Sequence, residues 1–509
     1  MKDNFYITTP IYYPSAKPHM GHAYSSIVAD FFARLKRIQG HKVFFLTGTD
    51  EHGQKIQRAA EKSNKDPLKF CDEISKTFRN LSSLLNLSND DFIRTTEKRH
   101  ASAVTNLWNI LEKKKEIYLS KYSGWYSVSD EAFYNEDEIE DLNGKKISKS
   151  SGSPVEWVEE ESYFFKLSKW GDKLLELYKN DKGFINPESK RNEVIKFVES
   201  GLNDLSVSRT SFKWGIQTPT DSKHIMYVWL DALTCYTNGV NYLNKKVDRM
   251  SEYWSNVTHI VGKDILRHHA IYWPAFLMAA DLKLPKKIYA HGWWTNEGHK
   301  ISKSLGNVID PIDIIDNYGL DQFRYFVLRE VPFGNDGDFS KKALINRINS
   351  DLVNDLGNLC QRSLTMIEKK LNSIVPNATN KGNDEKKLQD STEAILIDGS
   401  EMIESFRIHD YIKLVWIHIG KVNKYFNDNK PWELEKDNEI RFLNVLASTV
   451  EQIKNIAFFI EPIMPVTSRE ILRTIGVEDI NMTFAEMKRI SVFGNKLSKV
   501  NHLFSRVQE

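Results

Sequence analysis

Residues 5–53 read as one strand–turn–helix–strand unit, and that unit sets the fold. Phe5-Tyr6-Ile7-Thr8 is a short apolar run, and His19-Met20-Gly21-His22 follows it. From Ala23 to Gln39, apolar residues fall at Ile27, Val28, Phe31, Phe32, Leu35 and Ile38. That is helical spacing, and Gly40 is a natural stop. Val43-Phe44-Phe45-Leu46 then reads as a buried parallel strand. It runs into Thr47-Gly48-Thr49-Asp50-Glu51-His52-Gly53, a polar loop at the strand's C-terminal end. In open α/β sheets ligands bind there, so residues 5–53 form half of a nucleotide-binding domain.

A second motif, Lys300-Ile301-Ser302-Lys303-Ser304, lies well past the middle of the chain. It is a loop with two lysines and two hydroxyls, preceded by Ile288-Tyr289-Ala290-His291-Gly292, which reads as a strand. Together the two motifs can clamp a nucleoside triphosphate from both sides. A strand–turn–helix junction offers unpaired N–H groups and a positive dipole end to an anion. Gly21 lets a planar base approach the backbone. His19 and His22 can donate to phosphate without a full buried charge. Lys300 and Lys303 suit charge stabilisation at a reacting α-phosphate. The Walker A and Gly-x-Gly-x-x-Gly patterns are both missing, which argues against a P-loop enzyme or a dehydrogenase.

The lysine motif occurs twice. Lys146-Ile147-Ser148-Lys149-Ser150 repeats it letter for letter. That copy follows Glu136, Asp137, Glu138, Glu140 and Asp141, carboxylates that repel a pyrophosphate. The copy at 300 is therefore the functional candidate.

At 509 residues the chain exceeds one ordinary core, so several domains are expected. A net charge of +2 leaves nucleic-acid contact to local basic surface. Nothing reads as a membrane span or a signal peptide, and Cys71, Cys235 and Cys360 suit a reducing cytoplasm. From about Tyr118 to Asp221 the helical period weakens and aromatics and acids dominate, as in an inserted module. The α/β pattern resumes at Ile225–Leu230 and at His259–Gly262. After about Leu344 the chain is almost all helix-like, with a polar segment from Asn377 to Lys387 read as a loop.

With those segments in order, the chain resembles the class I aminoacyl-tRNA synthetases, and specifically the methionyl-tRNA synthetases. The resemblance rests on Ile11-Tyr12-Tyr13, the His-Met-Gly-His motif, Thr49–Gly53, Tyr227–Ala232, Gly262-Lys263-Asp264-Ile265 and the lysine loop. Asn358-Leu359-Cys360-Gln361-Arg362 and Lys430-Pro431-Trp432 extend it into the helical region. It implies an ATP-dependent ligase that makes methionyl-adenylate and charges methionine tRNA, with Mg²⁺ accompanying ATP. It implies ATP contacts at His19, Gly21, His22, Gly262, Asp264, Lys300 and Lys303, four of them (His19, His22, Lys300, Lys303) catalytic. Methionine contacts would be Tyr13, Trp229, Ala232, Leu233, Tyr236, Ile265, His269 and Trp273, with Asp50 and the Ile11 backbone on the substrate ammonium. Asn358, Arg362 and Trp432 would read the anticodon.

The fold that follows is a Rossmann-like parallel sheet with an inserted connective module, then an all-α helical bundle. The expected divisions are residues 1–117 and 222–296 for the catalytic domain and 118–221 for the module. Residues 297–354 hold the lysine loop and a stem-contact region, and 355–509 the anticodon-binding bundle. Many relatives bind zinc in the module through cysteine pairs, whereas Ala101–Lys223 contains neither Cys nor His, so no metal is expected. Lacking the appended dimerising domain of some relatives, the chain is expected to be a monomer. Blander readings stand beside these. The motif histidines could be helix caps, Asp50 an N-cap, the pocket aromatics plain core, the lysine loop a solvated turn and Trp432 a hydrophobic staple.

Overall fold

The computed structural model describes residues 3–130, 132–142, 144–241, 249–301, 308–379, 382–478 and 482–508. They fall into two compact units. One is Asp3–Pro18 with Val43–His291, the other His19–Lys42 with Gly292–Glu509.

The first unit is built on a six-stranded sheet. Its order is Asp91–Arg94, Val43–Thr49, Phe5–Tyr12, Val257–Gly262, Lys287–His291 and Ile185–Asn186, and every pair is parallel. Val257–Gly262 is buried at every position, as a strand covered on both faces must be. Chain order reverses between Phe5–Tyr12 and Val257–Gly262, so the ligand crevice of this topology opens at their carboxyl ends. Register against Val43–Thr49 shifts between Thr8 and Ile11. Such an irregularity re-aims the residues that follow it, here Ile11 to Tyr13. Gly48 is forced by packing, because a Cβ there would lie 2.0 Å from the Ile93 carbonyl oxygen of the next strand.

The inserted stretch carries a separate antiparallel sheet, ordered Leu205–Ser206, Glu156–Phe165, Ile117–Ser127 and Ala132–Tyr134. It also lends the edge strand Ile185–Asn186 to the parallel sheet. Where the α/β pattern resumes, only Ile225–Met226 is strand, and Val228–Gly239 is a helix buried along almost its whole length. A short apolar run cannot by its period distinguish a strand from a buried helix.

The second unit is mainly helical, with Met20–Ile38, Asn358–Lys370, Asn383–Glu404, Ile408–Asn429, Glu439–Ile460 and Pro465–Thr474 its longer elements. Gly40 ends the first of these in the left-handed region at φ +88°. Within this unit Asp30 is fully buried between Arg34 and Arg324, each at 2.7 Å. The segment read as a loop to Lys387 is helical from Asn383, because Glu385 reaches back 2.8 Å to the Gly382 N–H and caps the helix. The polar residues there are a first turn.

Candidate functional site

In the first unit, the sheet and the helix Val228–Gly239 gather the methionine candidates. Tyr236, Ala232, Leu233, His269 and Trp273 are buried, while Ile11, Tyr13, Trp229 and Ile265 are half-buried against the same core. The His269 Nδ1 lies 2.9 Å from the Ile265 carbonyl oxygen. A carbonyl only accepts, so Nδ1 carries the proton and Nε2 is left as acceptor. Tyr236 fills it, donating its hydroxyl to Nε2 at 2.7 Å. Burial lowers the His269 pKa to about 4, so the ring is neutral at pH 7. Trp229 stacks face to face on His268 at 3.6 Å and 16°. The Trp273 ring meets Tyr236 edge-on at 6.3 Å. Aromatic rings around a neutral imidazole are surroundings suited to a polarisable apolar group.

Asp50 is 4% exposed, and its backbone N–H donates to the Tyr12 carbonyl at 2.9 Å. It caps no helix, since Gly53 holds the N-cap of Gln54–Lys62. The next residue anchors the loop. Glu51 is fully buried and accepts from Thr49 Oγ1 at 2.6 Å, Arg94 Nε at 2.7 Å and Thr96 Oγ1 at 2.5 Å. Trp214 Nε1 donates to the Glu51 carbonyl at 2.6 Å. A buried carboxylate this fully satisfied pins the backbone on either side of it.

His52 and His100 were not assigned roles from sequence, yet both close on Asp231. His52 Nδ1 and His100 Nε2 each lie 2.6 Å from a different Asp231 oxygen. Burial alone raises the Asp231 pKa, but the charge of His52 and the hydrogen bonds from both rings outweigh it and lower it to about 2. The ionised carboxylate therefore accepts from both rings. Tyr13 in turn donates its hydroxyl to the His52 carbonyl at 2.6 Å. The chain from His100 through Asp231 and His52 thus sets the place of Tyr13. Sequence separations of 131 and 179 residues hid it from local reading.

Gly262 and Asp264 adjoin each other at the end of Val257–Gly262, where a Cβ on Gly262 would lie 2.5 Å from Asp264 Oδ1. In the second unit, His19 is the N-cap of Met20–Ile38. Its Nδ1 accepts the Gly21 N–H at 3.1 Å, and His22 Nδ1 accepts the His19 N–H at 3.0 Å. Both caps therefore use Nδ1, which leaves the proton of each neutral ring on Nε2 as a donor. A Cβ on Gly21 would lie 3.1 Å from the His19 ring. Capping and a ligand role are compatible here. His299–Lys300 pairs with Trp294–Asn296, and Lys303 lies outside the described residues. The duplicate motif begins on the hairpin strand Lys145–Ser148, paired with Ile139–Leu142, and ends in the turn at Lys149 and Ser150. Its Lys149 Nζ donates to the Asp137 carbonyl at 2.7 Å.

A family model described as "tRNA synthetases class I (M)" matches residues 5–364. The methionine–tRNA ligase of Brucella suis is 46% identical over 96% of this chain and 94% of its own length. That of Rhizobium meliloti is 45% identical over 99% and 98%. The chain belongs to the methionine–tRNA ligase family of class I tRNA synthetases. Among solved structures, a Mycobacterium tuberculosis methionyl-tRNA synthetase in complex with methionyl-adenylate superposes with a TM-score of 0.97 at 43% identity, covering 99% of this chain and 100% of that one.

In this family member the anticodon candidates meet within the second unit. Asn358 and Arg362 are one turn apart on Asn358–Lys370, and both are exposed. The Arg362 guanidinium lies 5.6 Å from the Trp432 ring centroid and 5.3 Å from that of Phe426. Trp432 is 45% exposed on the first turn of Pro431–Asp437, so it is not core. An exposed indole beside a guanidinium offers a stacking face and a fork of donors to an unpaired base.

Proposed function

We propose that the chain activates methionine with MgATP to methionyl-adenylate and pyrophosphate, then transfers methionine to the terminal adenosine of its tRNA. The observation that carries this is the near full-length likeness to a synthetase solved with methionyl-adenylate. The methionine carboxylate oxygen attacks the α-phosphorus and pyrophosphate leaves. The tRNA hydroxyl then attacks the acyl carbon and AMP leaves. No side chain forms a covalent bond, so the protein positions groups and neutralises charge.

In this reading Asp50 and the Ile11 backbone hold the ammonium. Tyr13, Trp229, Ala232, Leu233, Tyr236, Ile265, His269 and Trp273 surround the thioether. The Nε2–H groups of His19 and His22, the backbone at Gly21 and Gly262, and Asp264 serve ATP, with Lys300 and Lys303 meeting charge that develops on the phosphates. Asn358, Arg362 and Trp432 read the anticodon. The protein works as a cytoplasmic monomer and carries no closed cysteine-ligated zinc. Among the described residues no helix is long and apolar enough to cross a membrane.

Pyrophosphate exchange with single amino acids tests the reading. Exchange with methionine, and weakly with unbranched analogues such as norleucine, is the expected result. A thioether pocket has only about 1–3 kcal/mol with which to reject a methylene. Equal exchange with leucine or isoleucine sinks the methionine assignment.

A further inference from the structure

Away from the residues above, Glu161, Asp221 and His224 bring one ligating atom each within 4.8 Å of the others. It is the one such grouping among the described residues. Glu161 stands on the module strand Glu156–Phe165, and His224 immediately precedes the strand Ile225–Met226. The His224 side chain is fully buried, whereas those of Glu161 and Asp221 are 53% and 31% exposed. Its Nδ1 lies 2.9 Å from Ser208 Oγ, and its ring meets Tyr163 edge-on at 4.9 Å. The ring orientation is thereby fixed, and the buried Nε2 has no hydrogen-bond partner.

That Nε2 faces both carboxylates, 3.5 Å from Glu161 Oε1 and 3.9 Å from Asp221 Oδ2. These distances distinguish two readings. Where imidazole and carboxylate bond directly in this chain, at His52 and His100, they close to 2.6 Å. The wider His224 gaps instead approach the spacing of two donors on one tetrahedral cation. Bonds of about 2.0–2.2 Å separate neighbouring donors by roughly 3.3–3.6 Å. The arrangement is also preformed. Asp221 Oδ1 accepts the Lys223 N–H at 3.0 Å, which turns Oδ2 toward the ring. The turn is closed by Thr218 N–H to the His224 carbonyl and His224 N–H to the Asp221 carbonyl, both at 3.0 Å. An engaged Nδ1 opposite an open Nε2 is the usual posture of a ligating histidine.

We propose that Glu161, Asp221 and His224 bind one divalent cation of the zinc class, through one imidazole nitrogen and two carboxylate oxygens, with water completing the shell. The mixed nitrogen–oxygen set favours such a cation over Mg²⁺ or Ca²⁺, which prefer oxygen alone. Two partly exposed carboxylates make the site exchangeable, so a chelator empties it. It is unlike a closed cysteine site, and His224 lies one residue beyond the stretch whose lack of Cys and His argued against zinc. Bound metal clasps the module strand to the turn that leads back toward the helix Val228–Gly239.

The untagged full-length chain, stripped with EDTA and dialysed, is titrated with ZnCl₂ by calorimetry and melted with and without Zn²⁺. The expected result is saturable one-to-one binding and a higher melting temperature, since a ligand that binds only the folded state stabilises it. Glu161→Gln and Asp221→Asn each weaken binding about tenfold or more, yet leave the melting temperature of the metal-free protein unchanged. Absence of saturable binding overturns the proposal. So does one-to-one binding that survives both substitutions, because the metal is then held elsewhere.

Discussion

At the scale of single residues, the neutrality of His269 carries the pocket. Its Nδ1–H is committed to the Ile265 carbonyl, so only a donor can face Nε2, and Tyr236 supplies it. Tyr236→Phe leaves that buried acceptor unsatisfied, which costs about 1–3 kcal/mol. In the functional reading above, the expected outcome is a 5- to 150-fold rise in KM for methionine with little change in KM for ATP. Steady-state pyrophosphate exchange measures both, and an equal rise in the two constants would speak for general loosening instead. Sequence exposed the residue types here but not their states. Tyr236 and His269 are 33 residues apart, and nothing local says which ring nitrogen holds the proton. The same holds for Asp231, whose ionised state depends on two histidines remote in sequence.

At the scale of elements, regular pieces were legible and short ones were not. Met20–Ile38 announced itself through apolar spacing and the Gly40 stop. The Ile185–Asn186 edge strand has two residues, too few for any period. One helix position yields a pH prediction. His418 is fully buried on Ile408–Asn429, and burial lowers its pKa from 6.5 to about 4. Above pH 6.5 the ring is neutral in both folded and unfolded chains. As pH falls from 6.5 toward 4, only the unfolded chain takes up the proton, so stability drops by about 3 kcal/mol across that window and no further below it. His418→Leu should flatten the fall of denaturation midpoint with pH between 6.5 and 4 relative to the parent. Identical slopes would contradict the assignment. The two lysine motifs give a second test. Lys149 is tied to the Asp137 carbonyl within its hairpin, so Lys149→Ala should leave adenylate formation unchanged in single-turnover assays. Lys303→Ala should slow it by about 10²-fold or more, as loss of a donor aimed at the transition state does. The reverse ranking would place the functional loop at Lys146–Ser150 instead.

At the scale of the whole molecule, the methionine candidates lie in one unit and the anticodon candidates in the other. Their functions should therefore separate. Trp432→Ala removes an exposed stacking face worth roughly 1–3 kcal/mol per base. It should impair tRNA charging by about 5- to 150-fold while pyrophosphate exchange and the thermal melt stay as in the parent. A variant that charges tRNA normally would remove Trp432 from anticodon reading. The central claim is tested most directly by competition. The protein is mixed with MgATP, pyrophosphatase and an equimolar pool of all the standard amino acids, and the adenylates it retains are identified by mass spectrometry. The account predicts methionyl-adenylate, at one per chain. Leucyl- or isoleucyl-adenylate in comparable amount, or no adenylate at all, would contradict it.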